Sequence, residues 1–166
     1  PEECENVIRE SLAKALEGLR EMKVREGQAM QNDIQERLSS CANILNTIET
    51  LSLDEPGRCR ERLQDRLSQL NEGSKLNPER LEQEIALLAD RLDISEEVVR
   101  FRTHLEHMND ILVQSEVGKK AEFLMQELNR EVNTIASKSS HAGISQASVE
   151  IKSELEKVRE QLQNIE

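Results

Sequence analysis

Two clusters of ionisable residues carry the spacing that chemistry on a helix needs. Between Glu122 and Ser139, Glu127, Arg130, Glu131, Thr134 and Lys138 recur every three or four residues, so a helix would present them on one face. Carboxylates four residues apart repel each other unless a cation sits between them, and Arg130, Lys138 or a metal ion would each supply it. Oxygen-rich pairs of this kind suit Mg²⁺ or Mn²⁺. The second cluster is Glu97, Arg100 and His104, with His107 one turn beyond His104. An imidazole there is a candidate general acid or base, or a softer metal ligand. A third and weaker candidate is Glu84, beside Glu82 and Gln83. Each cluster also has an ordinary reading as a salt-bridged, solvated helix face, and by spacing alone that reading is the commoner one.

The elements that must position these groups all read as helices. The central stretch interleaves its charges with Phe123, Leu124, Leu128, Val132 and Ile135, which predict a buried stripe on a helix from about Val117 to Lys138. Residues 2 to about 52 predict one long amphipathic helix. Ile8, Leu12, Ala15, Leu19 and Met22 keep the spacing first, then Met30, Ile34, Leu38, Cys41, Leu45, Ile48 and Leu51 resume it. Gly18 and Gly27 weaken propensity there without breaking the pattern, and Asp54, Pro56 and Gly57 end it. A second helix is expected over 57–71, with Leu63, Leu67 and Leu70 inward and Arg58, Arg60, Arg62 and Arg66 forming the one locally basic segment. Asn77 followed by Pro78 marks a helix start, with Leu81, Ile85, Leu88 and Leu92 facing inward. Asp93 with Glu96 resembles a capping box for the next helix, which runs to about Ser115. A break at 139–143 precedes the last helix, whose Ile144, Ile151, Leu155, Val158, Leu162 and Ile165 follow a near-heptad register. The expected fold is all-α: a helical bundle over 56–166 with coiled-coil-like packing, and a long N-terminal helical arm over 1–55.

Composition agrees with long, narrow helical packing. The 166 residues include no Trp or Tyr and only two Phe, with 33% charged and 36% hydrophobic residues. A net charge of −11 excludes diffuse attraction to a polyanion, so nucleic-acid contact requires a local cluster of Lys and Arg, a metal bridge or another domain. Cys4, Cys41 and Cys59 lack metal-ligand spacing and read as reduced thiols of a cytosolic protein. No apolar run is long enough to span a bilayer, and no secretory signal is present. The chain opens at Pro1 without Met and already in a helical pattern, as expected of part of a longer polypeptide. Phosphate-cradling glycine loops, HExxH and GxSxG motifs are all absent.

A family resemblance narrows the reading. RLEQEIALLADRLDISEEVVR over 80–100, His104, the segment Gly118–Ser139 containing FLMQELNREVNTIASKS, the earlier KVREG at 23–27 and the ending ELEKVREQLQNIE together resemble the C-terminal half of the bacterial YicC/YloC family. That resemblance implies a cytoplasmic, metal-dependent endoribonuclease assembled as a homohexamer around a central cavity. It also implies a mixed α/β N-terminal domain, which this chain lacks. The family motif falls on Glu84, Glu97 and His104, and on Glu127, Asn129, Arg130, Glu131, Asn133, Thr134, Ser137 and Lys138. Two departures stand out. The usual Gly-Arg-Lys-Leu-Asp-Phe is Gly118, Lys119, Lys120, Ala121, Glu122 and Phe123 here, which keeps charge but loses a bidentate arginine fork. After Ser139, the common Asn-Asp-Ala-Glu is replaced by Ser140, His141, Ala142 and Gly143.

The site expected on these grounds places Mg²⁺ or Mn²⁺ at carboxylates drawn from Glu84, Glu97, Glu127 and Glu131. His104 is the acid, base or metal ligand, and Arg130, Lys138, Lys119 and Lys120 hold RNA phosphates. Catalysis then falls to His104, Glu127, Arg130 and Glu131. The competing expectation is a helical oligomerisation module or RNA-related adaptor, with catalysis in the absent N-terminal part.

Overall fold

The computed structural model describes residues 2–53, 57, 58, 60–62, 65, 78–113 and 118–163. Five helices have both ends bounded, in order α1 (Glu2–Ser52), α2 (Pro78–Leu92), α3 (Ser95–Leu112), α4 (Gly118–Lys138) and α5 (Ala142–Leu162). The fold is all-α, with no strand among the described residues. Of the helix expected over 57–71, residues 57, 58, 60–62 and 65 are helical and exposed, whereas Leu63, Arg66, Leu67 and Leu70 lie outside the described residues. Pro78 opens α2 as its fixed φ favours, while Asn77 lies outside the described residues.

α1, α3, α4 and α5 form a ring in which α1 packs on α5 and α3, and α4 packs on α3 and α5. Contacts along α1 set its direction. Gln31 Nε2 donates to Leu112 O at 3.0 Å near one end, and Arg102 Nη2 reaches Glu49 at 2.9 Å near the other, so α1 and α3 are antiparallel. The α1–α5 pair is antiparallel too, since Arg37 bonds Glu154 at 3.0 Å while a Cβ on Gly143 would lie 3.1 Å from Leu51. The core is the sum of the apolar stripes: Ile34, Leu38, Cys41, Leu45 and Ile48 from α1, Phe101, Leu105 and Met108 from α3, Leu124, Leu128, Val132 and Ile135 from α4, and Ile144, Ile151, Leu155 and Val158 from α5. Period-3.6 patterning forces this, because each helix has one apolar face and only mutual burial removes it from water.

The second half of α1 is one of the four walls of this core. Its first half is exposed throughout residues 4–29, including Ile8, Leu12, Leu19 and Met22. Among the described side chains of α2 none belongs to the buried core: Ile85, Leu88 and Leu92 are half-buried and Leu87 is exposed, while the side chain of Leu81 lies outside the described ones.

Three local expectations are corrected. Phe123 is not part of the buried stripe but 59% exposed, because it sits one residue, or about 100° of helix, away from the buried Leu124. The capping box does not close: Asp93 Oδ1 accepts from Ser95 N at 2.9 Å and Ser95 Oγ at 2.6 Å, but Glu96 pairs forward with Arg100 instead of reaching back. The break after α4 is shorter than 139–143, because His141 Nδ1 accepts from Gly143 N at 3.0 Å and caps a helix that already starts at Ala142.

Candidate metal centre on the seam between α3 and α4

Glu97, Arg100, His104 and His107 run at three- and four-residue steps along one edge of α3, and Lys120, Phe123, Glu127, Glu131, Thr134 and Lys138 do the same along α4. The two helices pack against each other through their apolar faces. A short connection makes them antiparallel, so the start of one polar edge lies opposite the end of the other. Glu97 and His104 are seven residues apart, as are Glu131 and Lys138, and this shared interval lets both pairs meet at once.

At one layer of the seam, His104, Glu127 and Glu131 each offer a ligand atom, and these three atoms lie within 4.8 Å of one another. Glu131 is only 3% exposed, and His104 and Glu127 are half-buried. His104 Nδ1 is buried with no hydrogen-bond partner, and Glu131 makes no ion pair among the described residues. Arg130 Nη1 lies 3.7 Å from Glu127 Oε2 while most of its side chain faces solvent. Two carboxylates gathered with an imidazole, in a layer where the buried His104 Nδ1 has no partner, form a donor set that a divalent cation would satisfy. Because one donor is nitrogen, the set suits Mn²⁺ better than Mg²⁺.

Two turns along, Lys138 Nζ lies 2.8 Å from Glu97 Oε1 and donates to Asp93 O at 2.9 Å. Glu97 is 6% exposed, and its Oε2 is buried without a partner. Glu97 and Lys138 therefore hold each other, the ammonium neutralising the carboxylate, so the fold sets the expected metal ligand Glu97 against the expected phosphate holder Lys138. Hydrogen bonds from the Ser95 hydroxyl and amide, helped by the nearby Lys138 charge, hold the Asp93 carboxyl below its usual range.

The remaining sequence candidates divide. Glu84 is exposed on α2 and is not among the three residues whose ligand atoms gather on the seam. Asn129 and Thr134 bond the backbone of their own helix, at Met125 O and Arg130 O, as does Ser137 at Thr134 O. Lys119 and Lys120 are exposed in the first turn of α4. Lys119 and Arg130 line an open groove of about 920 Å³ beside α5, together with Asn129, Asn133 and Arg159. Cys41 is buried in the core, and burial pushes its thiol up to about 12, which removes it as a nucleophile. Sequence reasoning missed the Glu97–Lys138 pair and the exposure of Phe123; the repeated seven-residue interval was the signal for the first.

Comparison with known proteins gives the seam its context. Residues 48–166 match the family described as Endoribonuclease YicC-like, C-terminal. The chain is 43% identical over 163 residues to the probable endoribonuclease YicC of Clostridioides difficile, covering 97% of this chain and 56% of that protein. It is also 43% identical over 148 residues to the probable endoribonuclease YicC of Haemophilus influenzae, covering 87% of this chain and 50% of that protein. The chain thus spans about half the length of the curated relatives it matches, and by both measures it belongs to the YicC-like endoribonuclease family, of which it carries the C-terminal helical part.

Proposed function

We propose that this chain is the helical part of an RNA-cleaving enzyme and that the seam layer of His104, Glu127 and Glu131 holds the divalent cation, Mn²⁺ or Mg²⁺, on which cleavage depends. The observation that carries the reading is the meeting of three ligand atoms within 4.8 Å, in a layer whose buried imidazole nitrogen has no partner. The names of the relatives, probable endoribonuclease YicC, support RNA as the substrate. Bound there, a divalent cation would offset the repulsion between an acidic surface and a phosphate and polarise a phosphoryl oxygen. Glu131 anchors the layer from the buried side and Glu127 closes it toward solvent. Arg130 extends from Glu127 into water, where its planar fork grips a phosphate at two oxygens. Assembly as a cytoplasmic homohexamer together with an N-terminal domain completes the proposal, and the mass of the full polypeptide in solution tests it.

Melting of this chain against Mn²⁺ concentration tests the centre. At a hundredfold excess over the dissociation constant, the wild type gains about 2.7 kcal/mol. Glu127→Gln and Glu131→Gln lose that gain and, without metal, melt higher than the wild type because one of two mutually repelling charges has gone. A wild type that Mn²⁺ leaves unchanged sinks the centre. RNA cleavage that survives both substitutions in the full polypeptide sinks its role in catalysis.

The exposed apolar residues on the first half of α1 favour a second reading, a module for association with other chains. It predicts unchanged cleavage in the seam variants and loss of assembly when Leu12, Leu16 and Leu19 become polar.

A further inference from the structure

We propose that Phe123, with Lys119 and Lys120, forms a stacking platform that seats one unpaired RNA base beside the His104–Glu127–Glu131 layer; this rests on the ribonuclease reading above. Phe123 is 59% exposed, whereas the chain's other aromatic ring, Phe101, is fully buried. It lies one turn before Glu127 on α4, about 6 Å along the axis at 1.5 Å per residue, and so continues the same polar edge. On the facing helix His107 stands one turn beyond His104. Between them opens a shallow recess of about 570 Å³, lined by Phe123, Lys119, Lys120, His107 and one acid, Asp110.

Charge selects the occupant. In a chain of net charge −11, acids are plentiful as partners, yet neither Lys119 nor Lys120 is ion-paired among the described residues. Ammonium groups with no ion-pair partner among the described residues, beside an exposed aromatic ring, match a nucleic-acid strand: the ring takes the face of a base, and the lysines take the flanking phosphates. Stacking needs a base free of its neighbours, so the recess selects single strands over duplex. The seated base would bring its adjoining phosphodiester toward Glu127 and Arg130. Phe123 is thus a positioning residue.

The test measures binding of a short fluorescein-labelled oligoadenylate, and of an RNA duplex, to the full chain. Phe123→Leu keeps apolar bulk without an aromatic face and is expected to weaken single-strand binding about 5- to 150-fold while leaving duplex binding unchanged. Phe123→Trp restores it. Lys119→Gln and Lys120→Gln each lower the slope of log affinity against log salt by about 0.7, and they test the platform independently if Phe123→Leu does not fold. Single-strand binding equal in wild type and Phe123→Leu, with unchanged salt slopes in the lysine variants, overturns the platform and leaves the metal-centre reading standing on its own cleavage test. A wild type that binds no single strand overturns the platform as well, while the metal centre is decided by its own Mn²⁺ melting test.

Discussion

At the scale of single residues, the seam separates two uses of a buried carboxylate. Glu97 has its own ammonium 2.8 Å away, whereas Glu131 has another carboxylate and an imidazole as neighbours. The first arrangement is a closed structural pair, and the second remains open to a cation. Removing one member of a buried pair strands the other's charge at a cost of about 3–5 kcal/mol, and Lys138 is partly open to water, so the lower end applies. Lys138→Met should therefore destabilise the bundle by about 3 kcal/mol in urea denaturation. Lys138→Met with Glu97→Leu should recover most of that loss. A single variant as stable as wild type would mean that the pair contributes nothing.

Among elements, the α1–α5 contact carries the clearest dependence on pH. Arg37 reaches Glu154 at 3.0 Å and Asp33 at 2.9 Å, so one guanidinium ties the two helices together. Bonds from Lys157 first, and from Arg37, hold the Glu154 carboxyl below its ordinary value of 4.5. A folded value below the unfolded one means that this stabilisation is fully present above about pH 4.5 and is lost as pH falls through the lower folded value. Glu154→Gln should lower stability by about 1 kcal/mol at neutral pH and make the acid limb of the stability profile shallower. A variant whose profile parallels the wild type throughout would remove Glu154 from the account.

For the whole molecule, the division is between a packed ring and a free arm. Residues 4–29 of α1 are exposed, and the core takes hold only near Ile34. A chain beginning at Ala29 should keep its cooperative melting and change in stability by no more than about 0.5 kcal/mol, since nothing buried is removed. A loss several times larger would mean that the arm folds back on the bundle. The arm also explains how a strongly acidic chain carries so much exposed leucine: that surface is available to another chain, as the second reading uses it. No helix among the described residues is long and apolar enough to cross a membrane, so the stripe is not a span.

Local spacing determined the helices, their apolar faces and the candidate polar edges, because a period of 3.6 is a property of neighbours in the chain. It marked Ile34 to Ile48 and Leu124 to Ile135 as core correctly, and it singled out His104, Glu127 and Glu131, whose possible ligand atoms the fold brings within 4.8 Å of one another. Spacing could not say which carboxylates gather. That depends on the register of α3 against α4, which is set where the apolar faces of the two helices pack into one core. The same register gave Glu97 to Lys138. Long-range packing, which no window of sequence contains, made that choice.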